Sequence, residues 1–221
     1  KFNGMFSIAI WDKKNQSLSL AIDRMGEKPL YFGISDNDFI FGSELKALKN
    51  FKNFSGEINI NALKQYLQLS YIPAPNTIYN NIFKLPAGSN LQITKSQILN
   101  ISKNNSLKEY KIKQWFNLNN LIINSKHNIY ENEKIATDSI EQSILESIQI
   151  QSISDVKLGV FLSGGIDSSL IASLKAKNYS DKIETFTMAF EDENYNEAIY
   201  ASKIAKELNS NHNEFIVNTN S

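Results

Sequence analysis

The first forty residues alternate. In "MFSIAIWD" (5–12), "SLSLAID" (17–23), "LYFGI" (30–34) and "DFIFG" (38–42), apolar side chains recur at every second position or cluster as aromatics. The polar runs "KKNQ", "RMGEKP" and "SDN" interrupt them. A period of two puts neighbouring side chains on opposite faces of a strand, so these runs predict an antiparallel meander. The period then lengthens. Residues 43–50 predict a helix, with Ser43 placed to cap it, Glu44 in its positively polarised first turn, and Leu45 and Leu48 on one face. A second helix is predicted over 61–70, where Leu63, Tyr66, Leu67 and Ser70 fall at helical spacing.

Residues 72–86, "IPAPNTIYNNIFKLP", carry Pro73, Pro75 and Pro86, which oppose helix and predict an ordered, extended loop. A strand-like "SNLQI" follows, then a polar, asparagine-rich stretch over about 100–130 that is the best candidate for a domain boundary. It still contains "QWFNLNNLII" (114–123), whose apolar residues need a packing partner. Trp11 and Trp115, among apolar neighbours, are expected in the core. Beyond 130 the rhythm changes again. Ile135, Ile140, Ile144, Leu145 and Ile148 mark a long amphipathic helix. A strand at 157–162, a helix at 168–177, a strand at 183–189, a helix at 196–208 and a strand at 213–217 come next. Such alternation predicts a parallel sheet with right-handed crossovers, which binds ligands at the carboxyl ends of its strands.

Composition narrows the classes. The formal net charge is zero and no basic block occurs, so a broad footprint for nucleic acid or an anionic membrane is not expected. The absence of cysteine removes disulfides, thiolate metal sites and cysteine nucleophiles from this chain. With no run of membrane-span length and no secretion-signal pattern at the start, the expected setting is cytoplasmic. The chain opens on Lys1 directly before a strand and closes just after "NEFIV" (213–217), which suggests a piece of a longer protein.

The chemistry concentrates in "VFLSGGIDSS" (160–169), a strand running into a glycine-paired turn and a helix. Backbone N–H groups and the helix dipole at such a junction favour an anion, most plausibly phosphate. Gly164 and Gly165 allow close backbone approach, while Ser163, Ser168 and Ser169 offer hydroxyl donors. Asp167 opposes an anion unless Mg²⁺ bridges it to the phosphates. A Walker loop is excluded because no lysine follows Gly165 before Lys175, and no G-x-S-x-G elbow occurs. The bland alternative is a Gly turn followed by a helix capped by Ser or Asp.

"SGGIDSS" after an apolar strand resembles the pyrophosphate loop of the ATP pyrophosphatases, and 154–174 and 185–209 resemble asparagine synthetases that hydrolyse glutamine. Upstream, "FNGMFSIAIWD", "DRMGEKPLYFG", "FGSELKAL" and "YIPAPNTIYNNIFKLPAG" are similar to the late glutaminase domain of the same family. The resemblance implies α+β followed by α/β. Residues 1–100 would be the C-terminal part of an αββα N-terminal-nucleophile glutamine amidotransferase domain, 101–130 a connecting segment, and 131–221 the start of a parallel-sheet ATP pyrophosphatase domain, adenine nucleotide alpha hydrolase-like. It implies ATP and Mg²⁺ as cofactors. Leu162, Ser163, Gly164, Gly165, Ser168, Ser169 and Met188 would bind ATP or its pyrophosphate portion, and Asp167 the Mg²⁺.

The implied reaction adenylates aspartate and amidates it with ammonia from glutamine, giving asparagine, glutamate, AMP and pyrophosphate. Aspartate, glutamine and ATP would be the partners, with a homodimer as one expected assembly. The family's nucleophilic cysteine has no counterpart here, so these residues alone are expected to be inactive. Ile22 stands where relatives often carry arginine; the segment "DRMGEKPLY" reads equally as a tight turn or as part of a domain interface or ammonia passage. Three alternatives stay open: an amidotransferase acting on a sugar or secondary-metabolite carboxylate, a non-catalytic nucleotide-binding module and, disfavoured by charge, a tRNA-modifying enzyme. Glu191, Asp192 and Glu193 form an acidic cluster read as a solvated loop or a second metal contact. His127 and His212 are isolated and expected at the surface or in packing roles.

Overall fold

A computed structural model of the chain describes residues 2–101, 107–126, 129–190 and 196–217. Two compact units make up the chain, Lys1–Asn128 and Ile129–Ser221. In the first, β1 (Ser7–Asp12) and β2 (Ser17–Ile22) pair antiparallel. Asp12 closes their turn, its carboxylate accepting the N–H of Lys14 at 2.9 Å and of Asn15 at 3.1 Å. β6 (Ser89–Thr94) pairs with β2, and β7 (Ile112–Gln114) with β6, giving the order β1-β2-β6-β7. A second antiparallel sheet, ordered β4-β3-β5, consists of β3 (Tyr31–Ser35), β4 (Asp38–Gly42) and β5 (Ile82–Lys84).

The four predicted strands therefore form, but not as one meander: the chain changes sheets after β2. Asp23 makes the change possible. It is 1 % exposed, and its carboxylate accepts N–H groups from Met25 (3.1 Å), Glu27 (3.0 Å), Lys28 (3.0 Å) and Phe6 (3.3 Å). Its carbonyl accepts from Gly26 at 3.2 Å and Gly88 at 2.8 Å, and its N–H donates to the Phe6 carbonyl at 3.0 Å. A reversal that leaves one ladder before joining another strands its amides, and here one carboxylate collects them.

The two sheets share a core. Leu18, Leu20 and Ile22 of β2 and Leu91 and Ile93 of β6 pack with Phe32 and Ile34 of β3. Phe32 is fully buried, with ring centroids of Tyr110, Phe83 and Phe39 at 5.1, 5.9 and 6.2 Å. Ile40 and Ile82, on the other face of the second sheet, pack with Leu48 of α1 (Leu45–Lys49).

Several expectations change. β4 runs to Gly42, Ser43 lies in a bend and Glu44 is extended, so Glu44 rather than Ser43 precedes the first helical residue, with no side-chain cap bond. α2 (Ile60–Leu69) is capped by Asn59, whose side chain accepts from Asn61 and Ala62, and Ser70 ends it in a left-handed conformation. Its buried residue is Ala62, while Tyr66 and Leu67 are 50 % and 76 % exposed. The proline-rich loop contains β5, which fits against β3 because a side chain at Gly33 would lie 2.1 Å from the Asn81 carbonyl.

The asparagine-rich stretch begins at the end of α3 (Lys95–Ile101) and includes β7 and α4 (Leu118–Ser125), and Ile101 and Tyr110 enter the core. Neither tryptophan is a core residue: Trp11 is 46 % and Trp115 42 % exposed, because one sits on the edge strand β1 and the other just past the edge strand β7.

In the second unit, α5 (Glu133–Gln151) starts on an Asn132 cap. Of its predicted stripe, Ile148 is buried but Ile135 and Ile140 are exposed. β8 (Gly159–Phe161), α6 (Ile166–Asn178), β9 (Glu184–Phe190), α7 (Ala198–Glu207) and β10 (Asn211–Val217) follow, with all strand pairs parallel in the order β10-β9-β8. Alanines 172, 201 and 205 let the helices approach Leu162 and Ile183. On the opposite face Phe186 lies across Gly159, where an added Cβ would meet its ring at 2.1 Å. His212 packs inside, its Nδ1 2.9 Å from the Thr185 hydroxyl. His127 lies outside the described residues.

The Asp23 carboxyl is held below its ordinary value of 3.8: burial pushes it up, but the N–H donations from Glu27, Lys28, Phe6 and Met25 outweigh that. A lowered folded-state pKa means that the stabilisation is complete above the unfolded value and is lost as pH falls through the folded one. Asp23→Ala is expected to cost the first unit about 2–3 kcal/mol, the penalty for buried N–H groups left without an acceptor, measured by urea unfolding at pH 7. The difference from wild type should shrink as the pH is lowered below 3.8.

Candidate functional site

The strand β8 hands over to α6 through Leu162, Ser163, Gly164 and Gly165. Leu162 is 2 % exposed; its N–H donates to the Phe186 carbonyl at 2.8 Å and its carbonyl accepts the Thr187 hydroxyl. Gly164 then turns at φ +82°, and a Cβ there would lie 2.6 Å from Tyr200 Cβ and 3.0 Å from the Ala201 amide nitrogen. Glycine is needed twice, for the backbone angle and for the close approach to α7. Gly165 is the N-cap of α6, extended and without a side-chain cap bond. A helix capped by Ser or Asp is therefore not what forms.

The serines gather instead around the turn. Ser163 and Ser168 hydroxyls are 2.9 Å apart, Ser168 Oγ accepts the Ser163 N–H at 3.2 Å, and Ser169 donates to the Gly165 carbonyl at 2.6 Å. Gly165 N–H reaches Ser163 Oγ at 3.3 Å. The Ser163 and Gly165 amides thus turn to the loop's own hydroxyls, because amides at such a junction need local acceptors. α-helical geometry still leaves the N–H groups of Ile166, Asp167 and Ser168 without an intrahelical acceptor, and the helix dipole adds positive potential there. This end of α6 can accept an anion.

Asp167 is exposed in the first turn of α6. Among the described residues there is no group of three or more His, Asp or Glu side chains that could cage a metal. A lone carboxylate fits an ion such as Mg²⁺, which takes most of its oxygens from phosphates and water and only one or two from protein. Met188 stands on β9 with its side chain on the face opposite buried Thr187, 55 % exposed. Glu191, Asp192 and Glu193 lie outside the described residues. Sequence reasoning missed two participants, Thr187 and the Tyr200–Ala201 backbone. The signal for Thr187 was a polar residue at an inward position of "TFTM" (185–188).

Comparison with known sequences now bears on the site. Residues 1–105 match the glutamine amidotransferase domain family and residues 139–221 the asparagine synthase family. A putative glutamine-hydrolyzing asparagine synthetase 2 of Methanocaldococcus jannaschii is 33 % identical over 219 residues, 97 % of this chain and 39 % of that protein. The chain is similar to glutamine-hydrolyzing asparagine synthetases along nearly its whole length. Glutamine-hydrolyzing asparagine synthetase 1 of Bacillus subtilis is 32 % identical over 208 residues, 94 % of the chain and 30 % of the relative. A putative member from Mycobacterium tuberculosis is 29 % identical over 215 residues, 96 % and 31 % respectively. The chain thus spans 30–39 % of the length of these asparagine synthetase relatives. The asparagine synthase match contains the whole β8–α6 turn.

Gly164→Ala is expected to destabilise the second unit by about 1–3 kcal/mol, the usual cost of a side chain at positive φ, with a further cost from the Tyr200 contact. Gly165→Ala, where the nearest atom to an added Cβ is a serine hydroxyl at 3.3 Å, should cost much less. Urea unfolding of the two variants side by side measures the difference.

Proposed function

We propose that the second unit binds ATP by its pyrophosphate portion and takes part in the glutamine-dependent amidation of aspartate. The observation that carries this is the glycine turn at the carboxyl end of a parallel strand, with Ser163, Ser168 and Ser169 gathered around it and the first amides of α6 left without intrahelical acceptors. In this reading Ser163, Gly164, Gly165, Ser168 and Ser169 cradle the β- and γ-phosphates, and Asp167 holds Mg²⁺ against them. Leu162 and Met188 border the nucleotide at the ends of neighbouring strands. The sheet β10-β9-β8 is then the start of an ATP pyrophosphatase domain. The stacked sheets of the first unit are part of an αββα amidotransferase domain. The chain contains no cysteine, so it supplies no thiol for glutamine hydrolysis itself.

The chemistry is balanced. An aspartate side-chain oxygen attacks the α-phosphorus of ATP, and the bond to the β-phosphate breaks with release of pyrophosphate. Ammonia, derived from glutamine, attacks the acyl carbon of the aspartyl adenylate and AMP leaves with the electron pair of the broken acyl C–O bond. The turn's role is electrostatic: fixed amide and hydroxyl donors stabilise charge that builds on the departing pyrophosphate. No helix among the described residues is long and apolar enough to cross a membrane.

The test is aspartate-dependent exchange of labelled pyrophosphate into ATP by the enzyme that contains this chain. Asp167→Ala should lower exchange by roughly 100-fold or more, the scale of losing a charge-stabilising group, while glutamine hydrolysis persists. Undiminished exchange in that variant overturns the assignment of the turn. AMP release that depends on a different carboxylate, and not on aspartate, overturns the assignment of the acceptor.

A further inference from the structure

Thr187 lies inside β9 with 4 % of its surface exposed. Valine would fill this strand position without a polar atom, and a buried hydroxyl costs free energy unless it is hydrogen-bonded. The Thr187 hydroxyl is bonded: it donates across to the carbonyl of Leu162, the last residue before the glycine turn. Because a peptide unit is planar, that carbonyl and the N–H of Ser163 belong to one rigid plate. The Leu162 N–H is fixed separately by the Phe186 carbonyl at 2.8 Å. Fixing the carbonyl end therefore sets where the first amide of the turn points, and it points at Ser168 Oγ, 3.2 Å away.

We propose that Thr187 is a positioning residue for the turn: its hydroxyl orients the Leu162–Ser163 peptide and through it the Ser163–Ser168 pair that faces the bound phosphates. This deepens, and rests on, the reading of the turn as a pyrophosphate site. Thr185, the neighbouring buried threonine, provides an internal contrast. Its hydroxyl lies 2.8 Å from Ser210 Oγ and 2.9 Å from His212 Nδ1, and neither partner belongs to the turn. Both threonines are inward-facing and near-completely buried. A purely structural role would make them equivalent.

The experiment uses the enzyme that contains this chain and two readouts, backbone amide exchange at residues 163–169 by NMR and calorimetric titration with inorganic pyrophosphate and Mg²⁺. Thr187→Val is expected to speed exchange at the Ser163 amide and to weaken pyrophosphate binding by roughly five-fold or more, the scale of one hydrogen bond. Thr187→Ser, which keeps the donor and loses the methyl, should restore both; Thr185→Val should change neither. Unchanged exchange and affinity in Thr187→Val, or a Thr187→Ser variant as impaired as Thr187→Val, overturns the proposal. Should Thr187→Val not fold, Thr187→Ser decides: wild-type behaviour supports the hydroxyl's role and impairment refutes it. If the wild-type enzyme binds no pyrophosphate, the pyrophosphate reading fails, while amide exchange still decides whether Thr187 orients the turn.

Discussion

At two strand ends in this protein, after β2 and after β8, the last peptide groups have left one ladder without joining another, and inward polar side chains meet them. That constraint organises both units. In the first, the Asp23 carboxylate collects the amides of the reversal after β2, so β3 can start in a different sheet. In the second, the Thr187 hydroxyl takes the carbonyl left at the end of β8, and Ser168 takes the next amide. An ionised acceptor suits the first case, where several donors converge. A neutral donor suits the second, where a full negative charge would oppose the anion-accepting end of α6.

The two junctions also differ in what they leave free. Around Asp23 the polar groups are consumed by the fold, and the result is a rigid switch of direction with the core of Leu20, Ile22 and Phe32 behind it. Around Gly164 the Ser163–Ser168 and Ser169–Gly165 contacts are short, at 2.9 and 2.6 Å, while the turn amides reach their hydroxyl acceptors only at 3.2 and 3.3 Å. Such long bonds are weak, so a phosphate oxygen can compete for the same donors at little cost.

Much of this was legible in the sequence. Period-two alternation located β1 to β4, and the change of rhythm after residue 130 located the parallel strands and their helices. The turn between β8 and α6 was legible because a pair of glycines with serines and an aspartate follows an apolar strand, although the same letters also allowed a helix capped by Ser or Asp. Less legible were features decided by partners far along the chain. β5 follows two prolines and is a strand only because Gly33 leaves room beside β3. Tyr110 looks like linker until it meets Phe32. The tryptophans looked like core because aromatic surface is usually buried, but their edge positions decided otherwise. Thr187 could be noticed as a polar residue facing inward, yet its partner, a backbone carbonyl, leaves no mark on sequence.

Tyr200 Cβ and the adjoining backbone of α7 press on Gly164 so closely that a Cβ there would force α7 to shift. Every single-nucleotide missense change in a glycine codon encodes a residue with a Cβ. This position therefore has no neutral neighbour in mutational space: lineages can drift through the helices on either side, but a step at Gly164 must be compensated by a shift of α7 before it is tolerated. The turn and the start of that helix are bound to evolve as one unit, although thirty-odd residues of chain separate them.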